Sequence, residues 1–125
     1  MMELIPYQPK LTQAQFLADL LERFPAVAAD VLEEEGLIHL QVSAWARYAN
    51  TCLAHGQLEE VARIIEYFQH TVEQVDSTTE NALYVSFLEH LEFSGESENA
   101  KQARQLLAPQ YLEIWHQLRA WLGLA

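Results

Sequence analysis

The sequence is poor in cysteine, glycine and basic residues, and each shortage excludes a class of protein. Cys52 is the only cysteine, so no disulfide can form within the chain, which fits a reducing compartment. Seven Lys and Arg stand against eighteen Asp and Glu, for a formal charge of −11. A nucleic-acid partner needs a basic footprint that releases counterions from phosphates, and none is present. The four glycines are isolated, so no glycine-rich phosphate loop exists. No uncharged apolar run approaches the ~18 residues of a membrane-crossing helix. Met1 to Pro6 lacks the basic region and apolar stretch of a signal peptide, and a cytoplasmic location is expected.

What is present is helical periodicity throughout. The 125 residues suit one domain with one core. Thr12 and Gln15 have capping-box spacing and open a first helix, with Phe16, Leu17, Leu20 and Leu21 on one stripe. Pro25 suits the first turn of a second, where Val27, Ala28, Val31 and Leu32 continue the apolar face until Glu33 to Gly36 end it. A third helix is predicted over 38–55 and a fourth over 57–75. Gly56 between them implies an antiparallel hairpin. Ser77 and Glu80 repeat the capping-box spacing and start a fifth helix, apolar on more than one face, that suits the middle of a bundle. A sixth covers about 98–107, and Pro109 opens a seventh, closed by Gly123. The fold expected is therefore all-α, a compact bundle of about six or seven antiparallel helices around a central hairpin, with 1–10 as a flexible tail. A lone tetratricopeptide-like hairpin is suggested around Trp45 and Tyr48, but no second copy follows at the ~34-residue period.

Charge is distributed unevenly. Between Ile64 and Ala100 there is no Lys or Arg, while Glu66, Glu73, Asp76, Glu80, Glu89, Glu92, Glu96 and Glu98 fall inside, a local charge of −8. Two readings stand side by side. These residues are solvated helix faces that keep the protein soluble, or they form a docking surface for a basic protein partner.

Catalytic groupings are weak. Glu113 and His116 have the three-residue spacing used in di-iron bundles, but such sites need a second pair and two further glutamates, so no metal or cofactor is expected. Cys52 lies mid-helix among apolar neighbours, where a thiol stays protonated. Ser86 has no nucleophile turn, and its hydroxyl is expected to bond a carbonyl of the preceding turn. Glu89 and Glu92 sit one turn apart, as acid pairs on exposed helices commonly do. Trp45 is expected in the core. Trp121, near the chain's end, could anchor a partner or a second copy in a homodimer.

The stretch Asn81-Ala82-Leu83-Tyr84-Val85-Ser86-Phe87-Leu88-Glu89-His90-Leu91, with an acidic helix ending near Glu73 before it and Leu106-Leu107-Ala108-Pro109 after it, resembles a family of small uncharacterised bacterial helical proteins. Some of these are encoded near secreted polymorphic toxins. The resemblance implies an immunity protein that binds and blocks a toxin domain, and it carries no functional residues with it. The expectation is a non-enzymatic binding protein for a basic partner. A helical adaptor or assembly subunit is the second class and a metal-dependent bundle enzyme the third.

Overall fold

The computed structural model describes residues 10–123, so the expected tail lies outside the described residues except for Lys10. Seven α-helices carry the chain: α1 Gln13–Arg23, α2 Ala28–Glu33, α3 Ile38–Ala54, α4 Leu58–Thr71, α5 Ser77–Ala82, α6 Glu98–Leu106 and α7 Pro109–Trp121. No strand occurs among the described residues, where one isolated bridge joins Leu11 to Val75. The protein is all-α, as the periodicity predicts.

Local signals set most boundaries. The Thr12 hydroxyl accepts the Gln15 N–H at 3.1 Å while the Gln15 side chain accepts the Thr12 N–H at 2.9 Å, closing the predicted box. Gly56 adopts φ +72°, the left-handed region that lets α3 stop and the chain turn into α4. Elsewhere the chain departs from the pattern. Pro25 opens a 3-10 turn, Pro25–Val27, ahead of the short α2. The cap of α5 is Asp76, not Ser77: its carboxylate accepts the Thr79 N–H at 2.8 Å and the Thr79 hydroxyl at 3.1 Å. The fifth helix also ends early. From Leu83 to Phe87 the chain winds as a π-helix, Leu88–His90 is a 3-10 turn, Leu91 is extended, and the chain is irregular from there to Ser94.

The core is aromatic and continuous. Trp45 of α3 stacks on Phe87 with centroids 4.1 Å apart, and Phe68 of α4 meets both Phe87 and Tyr111 of α7. Phe24 and Tyr67 close the other side of Trp45. Leu83, Phe87, Leu88, Leu91 and Phe93 are fully buried, so the irregular fifth segment runs through the middle of the domain as expected. Burying each such side chain is worth about 1.5–3 kcal/mol against leaving it in water.

Irregular backbone packed on the core needs partners for its polar groups. Between Glu89 and Gly95 these come from side chains of three helices. Asn50 of α3 donates to the His90 carbonyl and accepts the Glu92 N–H, both at 2.9 Å. Arg119 of α7 donates to the carbonyls of Glu89 and Leu91, and Trp115 donates to Leu91 as well. Arg104 of α6 donates to the carbonyls of Phe93 and Gly95.

Candidate functional site

The eight carboxylates singled out in the sequence differ in burial and in the residues around them. Glu66 stands on α4 in a depression of about 310 Å³ beside Arg23, Arg63 and His70. Glu73 and Glu80 lie together around Tyr84 and Tyr111, whose phenols are pushed up by burial first and by these two charges as well. Asp76 is half-buried and occupied in capping α5. Glu89 is buried, only 8% exposed, and the contact it offers Arg119 is its carbonyl oxygen. The exposed-pair reading of Glu89 and Glu92 therefore fails, because the helix that would align them gives way to a 3-10 turn.

Glu92 borders a groove with Arg47 and His90, whereas Glu96 borders another with Arg104 and His116. Among the described residues Glu96 alone of the eight pairs with a Lys or Arg, Lys101 at 3.8 Å. Glu98 accepts from Gln102 at 3.3 Å in the first turn of α6. Glu66, Glu73, Glu92, Glu96 and Glu98 all face solvent, and Glu66, Glu92 and Glu96 each border a different depression.

Cys52 is buried, and burial pushes its thiol up, partly offset by the Tyr48 hydroxyl and reinforced by Glu60. Tyr48 donates to Glu60 at 2.5 Å. Its phenol is raised by burial first and by that bond second. His116 is exposed and packs its ring against Trp115, while Glu113 accepts from Gln117. No group of three or more His, Cys, Asp or Glu among the described residues is placed to hold a metal ion.

Ser86 corrects its expectation. Its hydroxyl lies 2.6 Å from Nδ1 of His39, forty-seven residues away in sequence, and the Ser43 hydroxyl donates to the Ser86 carbonyl at 3.2 Å. Ser86 is itself buried on the π-helix. These bonds pin that segment to α3.

The sequence pattern also misplaced Leu32, which it assigned to the apolar face of α2. Leu32 is 58% exposed, and Leu37 and Leu40 at the start of α3 are 53% and 47% exposed. At the other end Trp121 is 88% exposed, beside half-exposed Leu122. These five are the exposed large hydrophobic residues of the described chain. A groove of about 310 Å³ continues from Leu40 along α3, floored by Ser43, Arg47 and Asn50 and walled by His90 and Glu92.

The set defines an all-helical domain with exposed apolar and acidic surface. A family model for a domain of unknown function, DUF7674, matches residues 17–122, and the chain belongs to that family. No curated protein and no solved structure matches it. No helix of the described residues is long and apolar enough to cross a membrane.

Proposed function

We propose that this protein is a non-catalytic binding protein for a basic protein partner, which it neutralises by occlusion, as an immunity protein blocks a toxin domain. The observation that carries this reading is the imbalance between carboxylates and cations on the folded surface. Among the described residues only Asp19, Glu60 and Glu96 are paired with a Lys or Arg. The other carboxylates have their attraction to cations unspent inside the fold. An excess of this kind speeds encounter with a basic protein and repels nucleic acid, and salt weakens it.

Glu66, Glu73, Glu92, Glu96 and Glu98 face solvent and contribute to this long-range field, whereas Glu89 is buried and Asp76 is engaged in capping α5. The test measures association with purified basic protein domains at low and high salt, for the native protein and for Glu92→Lys/Glu96→Lys/Glu98→Lys. A rate that falls with salt and falls again in the variant supports the reading. Affinity and rate indifferent to both would remove it.

A second reading, a helical adaptor or assembly subunit, is favoured by Trp121 and Leu122 exposed together on the end of α7. Sedimentation of native protein and Trp121→Ser separates the two. Concentration-dependent self-association lost in the variant favours assembly through this end of the molecule.

A further inference from the structure

We infer that the corner between α2 and α3, from Leu32 to Leu40, together with the groove running on along α3, is a docking surface for an amphipathic basic helix of a partner protein. This rests on the reading that the partner is basic, and adds where it sits and what shape it presents.

Three observations carry the placement. First, Leu32, Leu37 and Leu40 each leave about half of their surface in water within nine residues of chain, in a protein that buries nearly all its other large apolar side chains. Leu37 is the N-cap residue of α3 and Leu40 lies in its first turn, so the two exposed leucines flank the start of that helix. Second, the same corner lies in another long stretch without Lys or Arg. From Phe24 to Ala46 there is no Lys or Arg, while Asp30, Glu33, Glu34 and Glu35 fall inside it. Glu33 and Glu35 are exposed, and none of the four is in an ion pair. Third, the groove past Leu40 is open and nearly neutral, since Arg47 and Glu92 face it with opposite signs. From Leu40 to Asn50 it runs about 15 Å, room for nearly three turns of a helix.

The chemistry selects the occupant. An extended peptide gains affinity by adding to a sheet edge, and the described residues contain no strand to offer one. The α3 backbone is bonded within its own helix, so recognition must run through side chains. An apolar stripe on a partner helix would cover Leu37 and Leu40, with Lys or Arg flanking it opposite Glu33, Glu34 and Glu35. A second copy of this chain is disfavoured, because its charge of −11 would meet the same carboxylates.

The probe is a synthetic Leu/Lys amphipathic helix of about eighteen residues, long enough for the groove at 1.5 Å per residue, with a scrambled peptide of equal composition as control. Binding is followed by titration, and its footprint by amide hydrogen exchange. The amphipathic peptide is expected to bind more tightly than the scrambled one and to protect the start of α3. Leu37→Ser/Leu40→Ser should weaken it at least roughly tenfold, the scale set by losing contact with two leucines. Glu33→Gln/Glu34→Gln/Glu35→Gln should weaken it severalfold and flatten its salt dependence. All substituted positions lie at the surface or partly so, and circular dichroism of each variant checks the fold. Binding that leaves the corner unprotected and ignores Leu37→Ser/Leu40→Ser overturns this inference while leaving the basic-partner reading in place. Equal binding of the scrambled peptide overturns the helical occupant. Failure of both basic peptides to bind even at low salt overturns the inference and counts against the parent reading.

Discussion

Asn50 and Glu92 are joined as two strands of a sheet would be, although only one of them is backbone. The Asn50 carboxamide oxygen accepts the Glu92 N–H at 2.9 Å, and its amide nitrogen donates to the carbonyl two residues earlier, at His90. One side chain on α3 thereby fixes one wall of the groove that begins at Leu40. Asn50→Ala removes both bonds and is expected to cost about 1–3 kcal/mol. Asn50→Asp keeps the acceptor for Glu92 and loses the donor to His90. Amide exchange at Glu92 should therefore accelerate strongly in the first variant and less in the second, and denaturant titration gives the stability change.

Arg119 offers a sharper case, because it is buried and its hydrogen bonds go to carbonyls. Its guanidinium donates to Glu89 and Leu91 and stacks over Trp115, 5.3 Å from the ring centroid. Arg119→Ala leaves the Glu89 carbonyl without this donor and strips a face of the indole, for an expected loss of about 2–3 kcal/mol. Leu91 keeps the Trp115 N–H, so the damage should centre on Glu89. Arg119→Lys preserves the charge but lacks the planar fork, and is expected to recover only part of the loss. Thermal and urea unfolding of the two variants measures both values.

Alkaline pH should destabilise the fold. Burial raises the phenols of Tyr48 and Tyr67, and bonds donated to Glu60 and Asp19 raise them further. An unfolded tyrosine loses its proton near pH 10. Above that point the unfolded chain releases protons that the native protein retains, so stability falls as pH rises past about 10 and is fully present below it. Tyr67→Phe removes one such group along with its hydrogen bond at 2.7 Å. Denaturant titrations from neutral pH to above pH 10 should show a shallower decline in this variant, from a lower starting value.

Cys52 should behave as an inert core residue. It is 1% exposed, and burial raises its thiol. A thiol reagent at neutral pH is expected to react slowly with native protein and promptly in denaturant, with the native rate tracking unfolding. Rapid stoichiometric labelling without denaturant would show that α3 and α4 part far more readily than their packing implies.

Much of this architecture could be read locally. The Thr12–Gln15 box, the Gly56 turn and the Pro109 start depend on residues within one turn of each other, and all three occur as the spacing indicates. Asp76 and Ser77 were in competition one residue apart, and the carboxylate, the stronger acceptor, holds the cap. The π-helix left no mark in the pattern, because Leu83 and Phe87 are four apart and suit an α-helix equally well. Leu32 was misassigned because α2 is only six residues long, and its buried stripe is already made by Val27 and Val31 across the preceding turn. The burial of Glu89 was beyond reach for a different reason: a run of charge along the chain does not specify the directions in which an irregular segment will turn.

The Glu89–Gly95 segment borrows its order from elsewhere. Its tethers are the side chains of Asn50, Arg104, Trp115 and Arg119, spread over most of the molecule's length. Its side-chain tethers all come from α3, α6 and α7, so that shape needs those helices docked. The Glu92 amide, held by Asn50, is thus expected to report a loosening of α3 against this segment.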